Sequence, residues 1–141
     1  MTGSQTMKLF DVQGIELHAA SDAVFAYVAD PAHLPAWTSA FATVANGKAL
    51  MRTPQGQVEI DLVVLSSKAQ GTIDWKMTFP DGSMATAFSR VISLGHDRSI
   101  YTFLLTPPSV PLEQLEGTLD AQSRTLADEL LRLKGILENH D

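Results

Sequence analysis

The chain has 141 residues, with ten Lys and Arg against sixteen Asp and Glu and no cysteine at all. A formal charge of −6 without a basic stripe repels a phosphate backbone, so no nucleic-acid partner is expected. Without thiols there is no disulfide framework, no thiolate nucleophile and no cysteine-based zinc or iron–sulfur site. The length suits one domain over residues 1–141 around a single core, with residues 1–6 read as a disordered tail. No stretch approaches the ~20 apolar residues of a membrane span, and the Met1 to Met7 segment lacks the apolar run of a secretory signal. A cytoplasmic protein without a membrane span is the expectation.

In chain order, Leu9 to Leu17 reads as a first strand. Phe10 and Val12 fall on one parity and Ile15 and Leu17 on the other, which a bulge at Gly14 would reconcile. Ser21 is placed to cap a helix over Asp22 to Ala29, whose Val24, Phe25, Tyr27 and Val28 supply an apolar face. Asp30-Pro31 stops it, and a second short helical piece is expected from His33 to Ser39. Val58, Ile60, Leu62 and Val64 then alternate with Glu59, Asp61 and Val63, the pattern of a strand with one buried face. Ile73, Trp75, Met77 and Phe79 alternate in the same way against Asp74, Lys76 and Thr78.

Asp81-Gly82 is a hairpin signal, because a two-residue primed turn needs positive φ. Counting outward from it sets Phe79 opposite Met84, Met77 opposite Thr86, Trp75 opposite Phe88 and Ile73 opposite Arg90, all on the inner face. A second hairpin around His96-Asp97 would put Arg90 across from Phe103 and Ile92 across from Tyr101. Pro107, Pro108 and Pro111 end the sheet. Beyond them Leu112, Leu115, Leu119, Leu126, Leu130, Leu133 and Leu137 recur at three- and four-residue steps, the stripe of one long amphipathic helix. The order is therefore strand, two short helices, an antiparallel meander of five or six strands and a terminal helix. This is an α+β architecture, in which the sheet supplies the apolar surface for the helix.

That order resembles the SRPBCC or START-like superfamily, which wraps a curved antiparallel β-sheet around a long C-terminal α-helix in a helix-grip fold. The residues that carry the resemblance are IELHAASDAVFAYVADPAHLPAW from Ile15 to Trp37, GTIDWKMTFPDGSMATAFSRV from Gly71 to Val91, and the Leu-rich terminal helix. Members similar to this chain are described as polyketide cyclase/dehydrase-like. Others are lipid carriers, hormone-binding proteins, oxygenase domains and chaperone activators. The resemblance implies the fold and a cavity between sheet and helix, and no single activity.

Chemistry-bearing residues are sparse. His18, His33, His96 and His140 have no pair at i, i+4 spacing, so no metal is expected, and no cofactor-binding pattern occurs. His33 is the nearest to a catalytic base. Glu59 and Asp61 share one face of a strand, as a paired-carboxylate site requires, but their parity points to solvent. Arg90 is the sharper candidate, since a guanidinium on an apolar inner face needs an anionic partner. That partner would be a ligand carboxylate or enolate, or Glu116 or Asp120 of the terminal helix; the alternative is an Arg90 near the sheet end that snorkels to solvent. Trp37, Phe41, Trp75, Met77, Phe88, Tyr101, Phe103, Leu119 and Leu126 are candidate walls of a pocket for a small hydrophobic or aromatic molecule. Arg90, Tyr101 and Gln122 are candidate polar anchors, Gln122 and Ser123 interrupting the leucine stripe of the helix. Two alternatives stand beside ligand binding: a cyclase or dehydratase-type enzyme, and a protein-interaction module. Self-association through a sheet edge or the helix stays open.

Overall fold

Alternating apolar residues dominate the middle of the chain, and they build strands. The computed structural model describes residues 10–53, 56–106 and 119–138. Seven strands run β1 (Asp11–Leu17), β2 (Phe41–Ala45), β3 (Lys48–Thr53), β4 (Gly56–Ser67), β5 (Thr72–Thr78), β6 (Met84–Gly95) and β7 (Arg98–Leu105). Helices α1 (Ser21–Val28) and α2 (Leu34–Trp37), joined through a 3-10 turn at Pro31–His33, follow β1, and α3 (Leu119–Glu138) closes the chain. The strands form one antiparallel sheet in the order β1-β7-β6-β5-β4-β3-β2. The two short helices therefore carry the chain from one edge of the sheet to the other, and six strands meander back until β7 pairs with β1.

The inner face of the sheet and α3 share the core. Leu126, Leu130, Leu133 and Leu137 of α3 are buried, as are Ile60 and Leu62 of β4, Ile73, Trp75 and Met77 of β5, and Tyr101 of β7. Val24 and Val28 of α1 and Leu34 and Trp37 of α2 plug one end. Leu112, Leu115, Glu116, Gly117, the proline cluster and the side chains of Leu119 and Asp120 lie outside the described residues.

Four local expectations are corrected. β1 pairs with β7 without a register shift, so there is no bulge at Gly14, and Phe10 and Val12 face solvent. Asp11 and Gln13 take inward positions because Ser123 of α3 meets them. Its hydroxyl donates to Asp11 Oδ2 at 2.7 Å, and Gln13 Nε2 donates to the Ser123 carbonyl at 2.8 Å. Satisfied polar groups can occupy a buried row that apolar residues would otherwise claim. The second correction is the cap of α1. Ala20 is the N-cap in extended conformation with no side-chain cap, and Ser21 is the first helical residue.

The third correction changes the site. β5 and β6 pair as Thr72↔Arg90, Ile73↔Ser89, Trp75↔Ala87 and Met77↔Ala85, one residue away from the expected register. Pro80 is the cause. Its fixed φ suits the first corner of a type I turn, Gly82 N–H donates to the Phe79 carbonyl at 2.8 Å, and Gly82 follows at φ 89°. The loop is thus the three residues Pro80-Asp81-Gly82, a form that natural hairpins close with a left-handed glycine. A one-residue slip exchanges the faces of a strand. Ala85, Ala87 and Ser89 lie inside, while Phe88, at 41% exposure, and Arg90 belong to the outer row. The fourth correction is at the next hairpin. Gly95 and Arg98 flank His96-Asp97 as expected, but an irregularity between Ser93 and Gly95 shifts the ladder, giving Arg90↔Thr102 and Val91↔Tyr101. On the outer face Val12, Leu104 and Phe88 stand side by side across β1, β7 and β6.

Candidate ligand-binding site

A cavity of about 750 Å³ lies between the inner face of the sheet, α2 and the first turns of α3. Its deep walls are buried side chains: Leu34 and Trp37 from α2, Trp75 and Met77 from β5, Ala87 from β6, and Gln122 and Leu126 from α3. Phe41 and Phe103 complete the apolar lining from β2 and β7. Exposed Ser39, Arg52, Met84, Thr106 and Thr125 mark the rim. The strand pattern explains the floor, since each of Trp75, Met77, Ala87 and Phe103 is an inward residue of its strand.

Of the eleven residues the sequence singles out, Trp37, Phe41, Trp75, Met77, Phe103, Gln122 and Leu126 are brought together here. Phe88 touches the boundary opposite Leu104, near the end of β7, yet it stands in the outer row. Leu119 lies at the start of α3, with its side chain outside the description. Tyr101 is fully buried behind the wall, edge-on to Trp37 at 6.2 Å and to Phe103 at 6.3 Å. Arg90 is on the other side of the sheet, where its Nε donates to the Gln70 carbonyl at 3.2 Å beside a small polar recess. It is no anchor for a molecule in the cavity.

Two charged residues at the cavity escape a reading based on strand parity. Glu129 of α3 accepts from the Ser39 backbone N–H at 2.6 Å. Burial pushes its carboxyl up, against the Ser39 hydrogen bonds and the nearby Arg132, which favour the charged form. Its signal was in the helical period, because position 129 is three residues after Leu126 and four before Leu133. Arg52 stands in the outer row of β3 and folds around the start of β2. Its Nη1 donates to the carbonyls of Ser39 at 3.1 Å and Phe41 at 3.4 Å. No periodicity announces that reach. Ser39 is thus held from both sides, its N–H by α3 and its carbonyl by β3.

Polar atoms inside the wall are also informative. Trp37 Nε1, Trp75 Nε1 and the Tyr101 hydroxyl are buried without a hydrogen-bond partner. Burial pushes the Tyr101 phenol far up, with Ser89 and Trp75 nearby offsetting only part of it, so the group stays protonated and is no base. His33 is away from the cavity. Its ring stacks on Tyr27 at 4.0 Å, and its Nδ1 lies 2.7 Å from the Tyr27 carbonyl. Glu59 and Asp61 are exposed, Asp61 paired with Lys48 across the β3–β4 ladder. Among the described residues no three His, Asp or Glu side chains converge as metal ligands, and no helix is long and apolar enough to cross a membrane.

Solved structures share this arrangement over nearly its whole length. A START superfamily protein from Mycobacterium smegmatis superposes with a TM-score of 0.67 at 15% identity, covering 92% of this chain and 97% of its own. The fold is START-like. The Zhui aromatase/cyclase from Streptomyces has the same START-like frame, with a TM-score of 0.61 at 11% identity over 91% of this chain and 90% of its own. So does the Aha1 dimer protein from Colwellia psychrerythraea, with a TM-score of 0.60 at 14% identity over 94% and 98%. No family model and no curated protein matches the sequence. At these identities the START-like likeness extends to the fold and stops there.

Proposed function

We propose that this START-like chain binds a small, largely apolar molecule in the cavity between the sheet and α3. One observation carries the reading: Trp37, Trp75, Met77 and Leu126 are withdrawn from solvent yet line a void of about 750 Å³ that their own packing leaves unfilled. Interiors normally pack with few voids larger than a water molecule, and a void of this size falls in the range of ligand pockets, roughly 300–1,000 Å³. The similarity to a START superfamily protein and an aromatase/cyclase supports the same reading. Both tryptophans of the chain line the void, so their emission reports its occupancy. Titration with decan-1-ol should change that emission saturably, and Ala87→Phe, which fills the floor, should abolish the response. A wild-type protein whose emission is indifferent to decanol and to aromatic probes alike would defeat the reading.

A second reading is favoured by Glu129. A carboxyl at the wall whose burial favours the neutral form can hand a proton to a bound molecule and take it back. This is the cyclase or dehydratase-type alternative, with Glu129 in place of His33, Tyr101 and Arg90. Any turnover detected should then fall by at least about a hundredfold in Glu129→Gln while binding persists. The interaction-module alternative draws on the outer-face row of exposed Val12, half-buried Leu104 and exposed Phe88, but an open cavity is not what it requires.

A further inference from the structure

The cavity is unevenly charged. Its floor is apolar, and at its rim the single cationic side chain among the described lining residues is Arg52. We infer that Arg52 receives the anionic head of an amphipathic carboxylate whose hydrocarbon part lies on Trp37, Trp75 and Leu126. This rests on the ligand-binding reading above and adds the polarity and orientation of the ligand.

The guanidinium geometry supports it. Nη1 is spent on the Ser39 and Phe41 carbonyls, which fix the plane of the group against the start of β2. Among the described residues no partner meets Nε or Nη2, the edge that carries two parallel N–H groups and matches a carboxylate in a fork. Glu129, the carboxyl on the same wall, does not compete for it. Glu129 holds the opposite side of the Ser39 backbone through the N–H, and no ion pair joins it to Arg52. Thr125 also borders the rim, and its hydroxyl can help hydrate a bound head group. Below the head, the buried wall carries no charge, and Gln122, its polar side chain, is already partnered. The molecule that fits is therefore charged at one end only.

The test compares decanoate, decan-1-ol and decylamine, three molecules with one chain and different heads, by calorimetry or tryptophan emission at about pH 7.5, where decanoate is ionised and decylamine protonated. Decanoate should bind about tenfold or more tighter than decanol at low salt, the gain a charge-assisted bidentate contact supplies. Arg52→Gln should bring decanoate down to the level of decanol and leave decanol within about twofold of wild type, whereas Arg52→Lys should retain part of the preference. Unchanged decanol binding shows that the variant is folded with its cavity intact. If decanol binds but decanoate binds no more tightly, or if Arg52→Gln preserves the preference, the anionic head is refuted and the ligand-binding reading survives. Preferred binding of decylamine would assign the anchor to Glu129 and overturn the inference. Failure of all three probes would sink both.

Discussion

Tyr101 is the residue whose surroundings fit it least. Its ring packs edge-on to Trp37 and Phe103, but its buried hydroxyl has no partner in hydrogen-bond geometry, although Ser89 and Trp75 stand nearby. A buried polar group without a hydrogen bond costs about 1–3 kcal/mol. Tyr101→Phe should therefore stabilise the ligand-free protein by about 1 kcal/mol, read as a higher urea midpoint with an unchanged m-value. A loss of that size instead would show that the hydroxyl is satisfied. Glu129 offers a test through pH. Burial raises its folded pKa above the ordinary value of 4.5, so the folded state holds a proton that the unfolded chain releases. The stability this contributes is complete below about pH 4.5 and is lost as the pH rises through the elevated folded value. Gln keeps an oxygen for the Ser39 N–H and carries no charge. Glu129→Gln should thus melt higher than wild type at neutral pH, with the difference closing as the pH falls toward 4.5. A difference that widened on acidification would reverse the assignment.

Among the elements, the β5–β6 hairpin governs which side chains reach the cavity. Its far end is locked at Gly71, which follows β4 with φ at 74° and whose carbonyl accepts from the Val91 N–H at 2.8 Å. A Cβ there would stand 2.3 Å from the Val91 carbonyl oxygen, which is backbone and cannot step aside. Gly71→Ala should cost at least about 3 kcal/mol by the combination of a left-handed φ and overpacking. Gly82→Ala, at the opposite end of the hairpin with open space around it, should cost only about 1 kcal/mol. Comparable losses at the two sites would contradict the close approach. The same hairpin shows where sequence reasoning reached its limit. β1, β4 to β7 and the helices follow from local periodicity and turn signals, and so do the inward positions of Trp75, Met77 and Leu126, whereas β2 and β3 have no range in that reading. Cross-strand partners do not, because they depend on loop length. A two-residue turn at Asp81-Gly82 that leaves out Pro80 puts Phe88 and Arg90 on the wrong face. Asn46-Gly47, with φ 56° and 75°, joins β2 to β3 by the strongest short hairpin signal in the chain. Counted from that turn, Ala49 and Met51 become inward residues and Arg52 an outward one. Its return to the cavity rim depends on a side chain curling around β2, which no local pattern encodes.

For the molecule as a whole, the void shapes stability as well as binding. The described residues leave about 750 Å³ open between the sheet and the main helix and so forgo contacts that a filled core would make. A molecule that occupies the space restores them only in the folded state. Mass action then requires that it stabilise the fold by about 2.7 kcal/mol at a hundred times its Kd. For a domain near this size each kcal/mol moves the midpoint by roughly 3 °C, so decanoate at that excess should raise Tm by about 8 °C. The rise should grow with the logarithm of ligand concentration rather than reach a plateau, since only the native state binds. In Ala87→Phe the added ring takes the place of the ligand at the floor, and the midpoint should become independent of decanoate. A rise that persisted in this variant would place the bound molecule elsewhere, and the outer-face row of Val12, Leu104 and Phe88 is the surface to examine first. Replacing Phe88 with Ser would then remove the shift that Ala87→Phe had spared.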